Sequence, residues 1–561
     1  MKYLYLLVFL TVYTSLCFSQ STNLSRRMDD YYQLERLDIL SNRVSDSLIT
    51  SLNNISRKDA VRFLESYLES HEGKLSDKEI DEIKYMISKS GEWASNGDGA
   101  IDSEYPVLKT FYKKQPDLIN INKDDYNLVI NPIIYYQKTL ESAFNKENLF
   151  VNTRGIEVRG SIAKRVGFYS TFCDNQERGP SYYQYYVQNR KAVPGMAYYK
   201  DFKDTKTGQD YIYAAGAIDV EAIRNKVNLS FGHDRHQIGD GYRSLLLSDF
   251  SANYLFFKIN TRLGRFNYQN LYTELIPQYV RSGDKLLPKK YAAMHYLSMN
   301  VTNWFNVGLF EGIIFGRTTG FDFQYMNPII FYRSIEQANG SPDNANLGAT
   351  FKANTSLNTV VYGQLLFDEF KFAELKAKNK WWGNKYAFQL GLKIADPFNI
   401  NNLFIQAEYN YIRPYTYSFR DSIANYTHYN QPLAHPRGAN LTEWALIIRY
   451  KPMRHLYMTL KTFYLQQGLD SSNIKPSYGG DVFKDYDFHG KEYEKYMFNG
   501  FYTNVYFNNI NASYEFRPNL FADLGLTYRV ETSKIAFNPS YNSLQFYVGL
   551  RLNTIRRQYD Y

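Results

Sequence analysis

The densest chemistry in this chain lies in residues 232–249, GHDRHQIGDGYRSLLLSD. His233 and His236 stand three residues apart, with Asp234, Arg235, Asp240 and Arg243 around them. Imidazoles and carboxylates at close spacing are what a divalent metal takes as ligands. An apolar strand (Val227, Leu229, Phe231) runs into this stretch, however, and on a strand residues i and i+3 point to opposite faces. The two rings converge only where the chain turns between them. The geometry therefore favours a charged network, His233, Asp234, Arg235, His236, Asp240 and Arg243, lining a lumen, and no metal ligand is assigned. Gly239 and Gly241 would permit a sharp bend or a close backbone approach there.

Catalysis finds no support. There is no G-x-S-x-G, no H-E-x-x-H and no Walker loop, and Glu408 and Glu443 are too scattered in sequence to suggest an acid/base pair. The reading is of a protein that is not an enzyme and needs no cofactor. Binding is better represented. Tyr182, Tyr183, Tyr185 and Tyr186 crowd one short segment and Trp381 adjoins Trp382, all in expected loops or strand ends. Aromatic faces stack on the apolar faces of sugar rings. An interfacial aromatic belt is the simpler reading of each cluster, since it explains Trp and Tyr at strand ends without any ligand.

The elements that position these groups fall into two regimes. Met1-Lys2 precedes an apolar run from Tyr3 to Phe18, and Cys17-Phe18-Ser19 offers small residues at a cleavage site. Residues 1–19 thus read as a secretory signal peptide. Residues 20–95 read as a small helical bundle. Leu37, Leu40, Val44 and Leu48 form a first stripe, Ser56 opens a second helix with Val61, Leu64 and Leu68, and Ser76 with Glu79 forms a capping box before Ile80, Ile83 and Ile87. Residues 96–125 read as a linker. Asn96-Gly97-Asp98-Gly99 faintly resembles a calcium loop, but Ala100 stands where a third oxygen ligand is needed.

From Tyr126 the period changes to two and stays there over residues 126–561. Tyr386, Phe388, Leu390, Leu392 and Ile394 alternate with Lys385, Gln389 and Lys393; Trp444, Leu446 and Ile448 oppose Glu443 and Arg449. The apolar face carries aromatic ends, and the other face carries charges of both signs. With 53 Tyr and 38 Phe at a mean hydropathy of only −0.46, this is the signature of strands with an apolar outer face and a polar inner one. The expectation is a mainly β protein, a transmembrane antiparallel β-barrel of about 16–18 strands. Long loops are expected at 174–208, 339–348, 413–440 and 468–500. No later stretch is apolar and long enough for a transmembrane helix, one cysteine remains after the leader, and the net charge of +9 is dispersed, which argues against a nucleic-acid partner.

Two stretches carry a resemblance. GHDRHQIGDGYRSLLLSDFSANYLFFKINTRLGRFNYQNLY (232–272) and NPIIFYRSIEQANGSPDNANLGA (327–349) resemble the outer-membrane capsule-assembly Wzi family, most nearly its branch with RemB-type gliding-motility proteins. The second stretch brings Arg333, Glu336, Asp343 and Asn344 as motif residues. The resemblance implies an eighteen-stranded barrel with a helical bundle and a lectin-like role: binding surface polysaccharide for capsule or exopolysaccharide attachment in the outer membrane. Outer-membrane lipid is then one partner, and motility or capsule-export proteins are others. An accessory of motility or adhesion, and a passive channel with the bundle outside the barrel, are the competing readings. The 232–249 stretch together with 327–349 would gate or rigidify the lumen.

Overall fold

A computed structural model describes residues 23–561, except 25–27, 47, 53–54, 97–98, 105, 109, 143–147, 164, 204–206, 278–285, 422, 472–474 and 535–539. The expected leader and the Gly97-Asp98 pair of the calcium-like stretch lie outside the described residues.

Three amphipathic helices come first: α1 (Asp29–Leu40), α2 (Arg57–Ser70) and α3 (Asp77–Ser88). The Ser56 hydroxyl caps α2 by accepting the Asp59 N–H at 3.0 Å, and Ser76 and Glu79 close the capping box of α3. Such caps contribute about 1 kcal/mol each. α1 stops at Leu40, short of the stripe drawn through Val44 and Leu48. Asn42 adopts a positive φ of 54°, and the Val44 N–H donates instead to the Asn303 carbonyl of a barrel turn. Leu48 still reaches the bundle core, beside Tyr31, Leu34, Val61, Leu64 and Ile83, from an irregular segment.

Eighteen antiparallel strands then close a barrel. They are β1 (Tyr126–Glu141), β2 (Leu149–Ile162), β3 (Val166–Arg178), β4 (Gln209–Ile223), β5 (Val227–Asp234) and β6 (Tyr254–Leu263). Next come β7 (Phe266–Leu275), β8 (Lys290–Asn300), β9 (Phe305–Phe315), β10 (Asn344–Thr355), β11 (Thr359–Glu369) and β12 (Lys385–Ala395). The last six are β13 (Leu403–Ile412), β14 (Leu441–Met453), β15 (Leu456–Leu469), β16 (Phe501–Arg517), β17 (Leu520–Ser533) and β18 (Tyr541–Leu552). β18 pairs with β1 from Gln545↔Glu141 to Leu552↔Ile134, which seals the wall.

The period-two pattern sets the two faces. Leu390 is 53% exposed on the outside while Gln389 is 3% exposed within. Tyr409, Trp444, Tyr464, Tyr506 and Tyr528 stand on the outer face near one rim, with Phe266, Trp304, Tyr514 and Phe516 toward the other, two aromatic girdles around an apolar band. One end carries short turns such as 264–265, 454–455 and 518–519; the other carries long connections at 179–208, 235–253, 316–343, 413–440 and 470–500. The loop expected at 339–348 is displaced, because from Asn344 the chain is already paired to β9.

The lumen is largely filled, with a cavity left beside the inward chain. From the short-turn end the helices sit in the mouth, where Glu35 pairs with Lys393 at 2.7 Å and Asp38 with Lys352 at 3.0 Å. From the other end the 235–253 connection folds inward, and residues 553–561 run inside after β18. Leu245, Leu246 and Leu247 are fully buried against Phe256, Met294, Phe310, Leu366 and Tyr426, an apolar core inside the barrel. Each such leucine contributes about 2 kcal/mol. The inner face is therefore not uniformly polar, because it packs against protein and not against water. Purified protein in planar bilayers is expected to show no large steady conductance; an open pore would mean that this filling is displaced.

Candidate functional site

The lumenal stretch is built by a change of direction. β5 continues through Asp234, so His233 keeps the parity of Phe231 and faces outward beside Leu255, with Nδ1 3.4 Å from the Ala214 carbonyl. His233 thus does not belong to the lumenal network. Its ring and that of His236 lie on opposite sides of the wall. Asp234 faces inward and accepts from the Tyr169 hydroxyl at 2.5 Å. Arg235 turns the chain, donating to the carbonyls of Gly195 (3.1 Å) and Ser251 (3.4 Å). His236 is buried, its backbone N–H on the Tyr254 hydroxyl at 3.0 Å and its ring 4.4 Å from Phe256; burial, with Lys258 nearby, keeps it neutral by pushing its pKa far down.

Gly239 and Gly241 fulfil the expected close approach. Gly239 has φ +120° and a Cβ there would strike the Gln364 side chain, while one at Gly241 would strike Gln389. The Gly239 N–H reaches the Ser51 carbonyl at 2.6 Å and Asp240 accepts from Thr50 at 2.5 Å, so the inward loop is tied to the helical segment. Arg243 is the hub. Its Nε and Nη2 donate to both oxygens of Glu443 on β14 at 3.1 Å, and its Nη1 lies 3.9 Å from Asp560. Its backbone N–H and that of Tyr242 reach Glu408 on β13 at 3.1 and 2.7 Å. Lys461 on β15 pairs with Asp560 at 2.8 Å and His435 with Glu443 at 3.1 Å. Burial opposes ionisation of Asp560, but Lys461 and Arg243 outweigh it and hold its carboxyl below its ordinary value.

Sequence reasoning missed Glu408, Glu443, His435, Lys461 and Asp560 as members of this hub. The signal was available in part: Glu408 and Glu443 share inward parity on adjacent strands, and Asn410 bridges them at 2.9 and 3.3 Å. Beside the inward loop lies a cavity of about 360 Å³, lined among others by Tyr169, Tyr213, Asp234, Arg235 and Arg556. It extends from Met28 and Arg57 of the helical segment to Gly195 and Pro436 near the long loops.

The second motif lies elsewhere. Arg317 grips Asp343 with two bonds of 2.7 Å, Tyr325 adds a third at 2.8 Å, and Arg333 pairs with Glu336 at 2.8 Å. These residues sit on a connection that folds over the outside of the wall. Only at Asn344, whose amide donates to the Ala424 carbonyl at 2.9 Å, does the segment turn to the interior. The 327–343 part cannot gate the lumen from outside it.

The aromatic candidates divide as well. Tyr182 and Tyr183 on α4 (Ser181–Arg190) are buried, and with Tyr186 they pack against Tyr541, Phe250 and the inward-running Tyr559 and Tyr561. Trp382 is buried, stacked on His489 at 4.3 Å with its indole N–H on Glu492 at 2.8 Å. None of these offers an open face for a sugar. Tyr185 and Trp381 remain partly exposed. Trp381 lies under the Lys371 ammonium at 4.4 Å. Around it the 370–384 and 470–500 connections are laced by backbone bonds, Trp382 to Glu492 (2.9 Å), Glu494 to Asn379 (3.1 Å) and Lys495 to Lys380 (3.0 Å). The ledge so formed exposes Phe372, Tyr493 and Tyr496 among Lys371, Lys376, Lys378, Lys380 and Lys491, with Glu374, Glu492 and Glu494 between them, Glu494 paired to Lys491 at 3.3 Å.

Above the lumen, His428 accepts the Ile276 N–H on Nδ1 at 3.0 Å and lies 3.1 Å from the Asn253 carbonyl through Nε2. Burial lowers its pKa to about 3. An unfolded histidine titrates near 6.5, so below that pH the unfolded chain takes up a proton that the folded one refuses. Stability is then lost as pH falls from about 6.5 toward 3, by up to about 1.4 kcal/mol per pH unit for each such ring. His428→Gln is expected to flatten the fall in unfolding temperature between about pH 6.5 and 5. An unchanged slope would refute the assignment.

The closed wall, the apolar outer band and the packed interior define an outer-membrane β-barrel of the filled kind. No family model matches the sequence, and neither does any curated protein. Among solved structures the chain is similar to Wzi of Escherichia coli, described as an outer-membrane protein involved in group 1 capsule assembly and a carbohydrate-binding β-barrel. The two are 11% identical, with 96% of this chain and 100% of that one covered and a TM-score of 0.55. Pseudomonas aeruginosa OprD (10% identity, 76% of this chain, 95% of that, TM-score 0.40) and OpdK (9%, 76%, 98%, 0.42) are looser matches. At these identities the likeness is one of fold.

Proposed function

We propose that this protein is a non-enzymatic outer-membrane barrel, exported by a signal peptide, that binds surface polysaccharide for capsule or exopolysaccharide attachment or assembly. The observation that carries the reading is the lysine-rich aromatic ledge around Trp381, at the long-loop end of a barrel whose lumen is packed. Aromatic faces among cations suit an acidic glycan, with the rings on sugar faces and the lysines on carboxylates. The whole-length fold likeness to a carbohydrate-binding barrel supports it. The filled lumen speaks against a passive channel, and the occupation of Glu408 and Glu443 by Arg243 and its backbone speaks for a structural role of these carboxylates.

The direct test is retention of the purified protein, in detergent, on polysaccharide from its own cells. Trp381→Ala is expected to weaken retention about tenfold, about 1.4 kcal/mol. If no self-derived polysaccharide is retained, the reading falls. A second reading, an accessory of gliding motility or adhesion acting through protein partners, is what the resemblance of 232–272 and 327–349 implies. A deletion strain that sheds polysaccharide into the medium supports the first; one with intact capsule but altered spreading supports the second.

A further inference from the structure

The membrane-facing wall carries polar groups where an apolar band is required. Tyr268, Tyr272, His295 and Glu311 all share the outward parity of Leu297 and Leu309 on β7, β8 and β9. A carboxylate facing hydrocarbon would cost several kcal/mol. Glu311 and His295 are nevertheless only 5% and 7% exposed, because residues 316–343 fold back down over them. Glu311 accepts the backbone N–H groups of Tyr332 and Arg333, both at 3.0 Å, at the start of α5 (Tyr332–Ala338). The Tyr272 hydroxyl donates to the Met326 carbonyl at 3.0 Å and that of Tyr268 donates to the Pro328 carbonyl. His295 lies against Tyr332 at 3.9 Å, and Tyr325 and Tyr332 pack on Ile313 and Phe315. The wall thus supplies hydrogen bonds that irregular backbone at membrane depth needs.

The depth follows from register. Tyr268 pairs with Leu297 and Leu297 with Leu309, six residues below Phe315 at the top of β9. At about 3.4 Å per residue and a tilt near 40°, Pro328 hangs about 15 Å below the rim. The residues that follow point away from the wall: Ile329 is 86% exposed, Ile330 39% and Phe331 73%, continuous with Leu309 at 62%. We infer that residues 316–343 form a re-entrant flap whose tip, Ile329, Ile330 and Phe331, inserts among the acyl chains of the outer leaflet. Insertion of the tip rests on the outer band being lipid-facing. Arg317 pairs with both Asp343 and Asp322 and Arg333 pairs with Glu336, so every charged side chain of the flap has an opposite partner although one negative charge is left in excess.

The test uses the exported protein in liposomes, with Cys173 replaced by serine and a fluorophore placed at Ile329→Cys. Controls carry the label at Leu309→Cys on the wall and at Phe372→Cys on the ledge. The expected result is quenching by acyl-chain nitroxide lipids matching the Leu309 site, with protection from iodide. Iodide access like that at Phe372 would overturn the insertion. Protection from both quenchers would also overturn it, in favour of a protein covering the tip. If the Leu309 label itself escapes lipid quenching, the reading of the band fails first. In the Glu311→Leu variant, the Ile329 label is expected to shift from lipid to iodide quenching while the Leu309 label does not move.

Discussion

Arg243→Ala is expected to lower the stability of the barrel by about 3–5 kcal/mol, seen as a fall in the temperature at which its folded, fast-migrating form converts on a denaturing gel. The substitution strips a bidentate partner from the buried Glu443 and one of two cations from Asp560, whose side chain is only 10% exposed. Lys461 still faces Asp560 and His435 still faces Glu443, so the loss is partial but borne by three strands and the 553–561 segment together. Arg243→Lys is expected to recover little, since an ammonium cannot span both Glu443 oxygens. Asp240→Ala, the substitution the sequence would nominate, removes one bond from Thr50 and is expected to cost less. An unchanged midpoint in Arg243→Ala would refute the hub.

The second large effect is on insertion. Leu390 sits midway along β12 on the outer face, and Leu390→Arg is expected to cost about 2–4 kcal/mol and to reduce the fraction that assembles into lipid vesicles. Read from alternation alone, its neighbour Gln389 should accept a charge freely. It does not face water: its amide donates to the Arg243 carbonyl at 3.1 Å and to Asn410 at 2.8 Å, with Gly241 pressed against it. Gln389→Lys is therefore expected to insert normally but to loosen the inward loop, giving conductance where the parent has none. Equal loss of insertion in both variants would mean that the faces are assigned the wrong way round.

What alternation and caps encode was legible. The faces of β12 and β14, the capping box at Ser76 and the strand count within 16–18 all follow from period and local chemistry, because a pleated strand or a helix turn constrains its own neighbours. What long-range packing decides was not. Leu245, Leu246 and Leu247 look like a strand fragment until the wall is closed around them. The 553–561 segment bears Arg557, Tyr559 and Asp560 for partners hundreds of residues away, Glu177, Tyr183 and Tyr242 among them. His233 shares the parity of Val227, Leu229 and Phe231, so its outward face was legible had the alternation been carried two residues further. Of the six aromatic candidates, the four that proved inaccessible are packed by segments that sequence distance hides.

The path of the chain after β18 sets an order of assembly. That strand zips against β1 to complete the wall and runs straight into a segment that lies within it, at separations of more than 300 residues from the loop it meets. Contacts so distant in sequence carry the largest loop-closure entropy and form slowly. The segment enters through the short-turn mouth, and that is the mouth the helices occupy, with Asp29 of α1 bonded to Arg551 at 3.3 Å. The helices precede the wall in the chain, yet Asp29, Glu35 and Asp38 find their partners on β18, β12 and β10, strands that stand together only once the wall has closed.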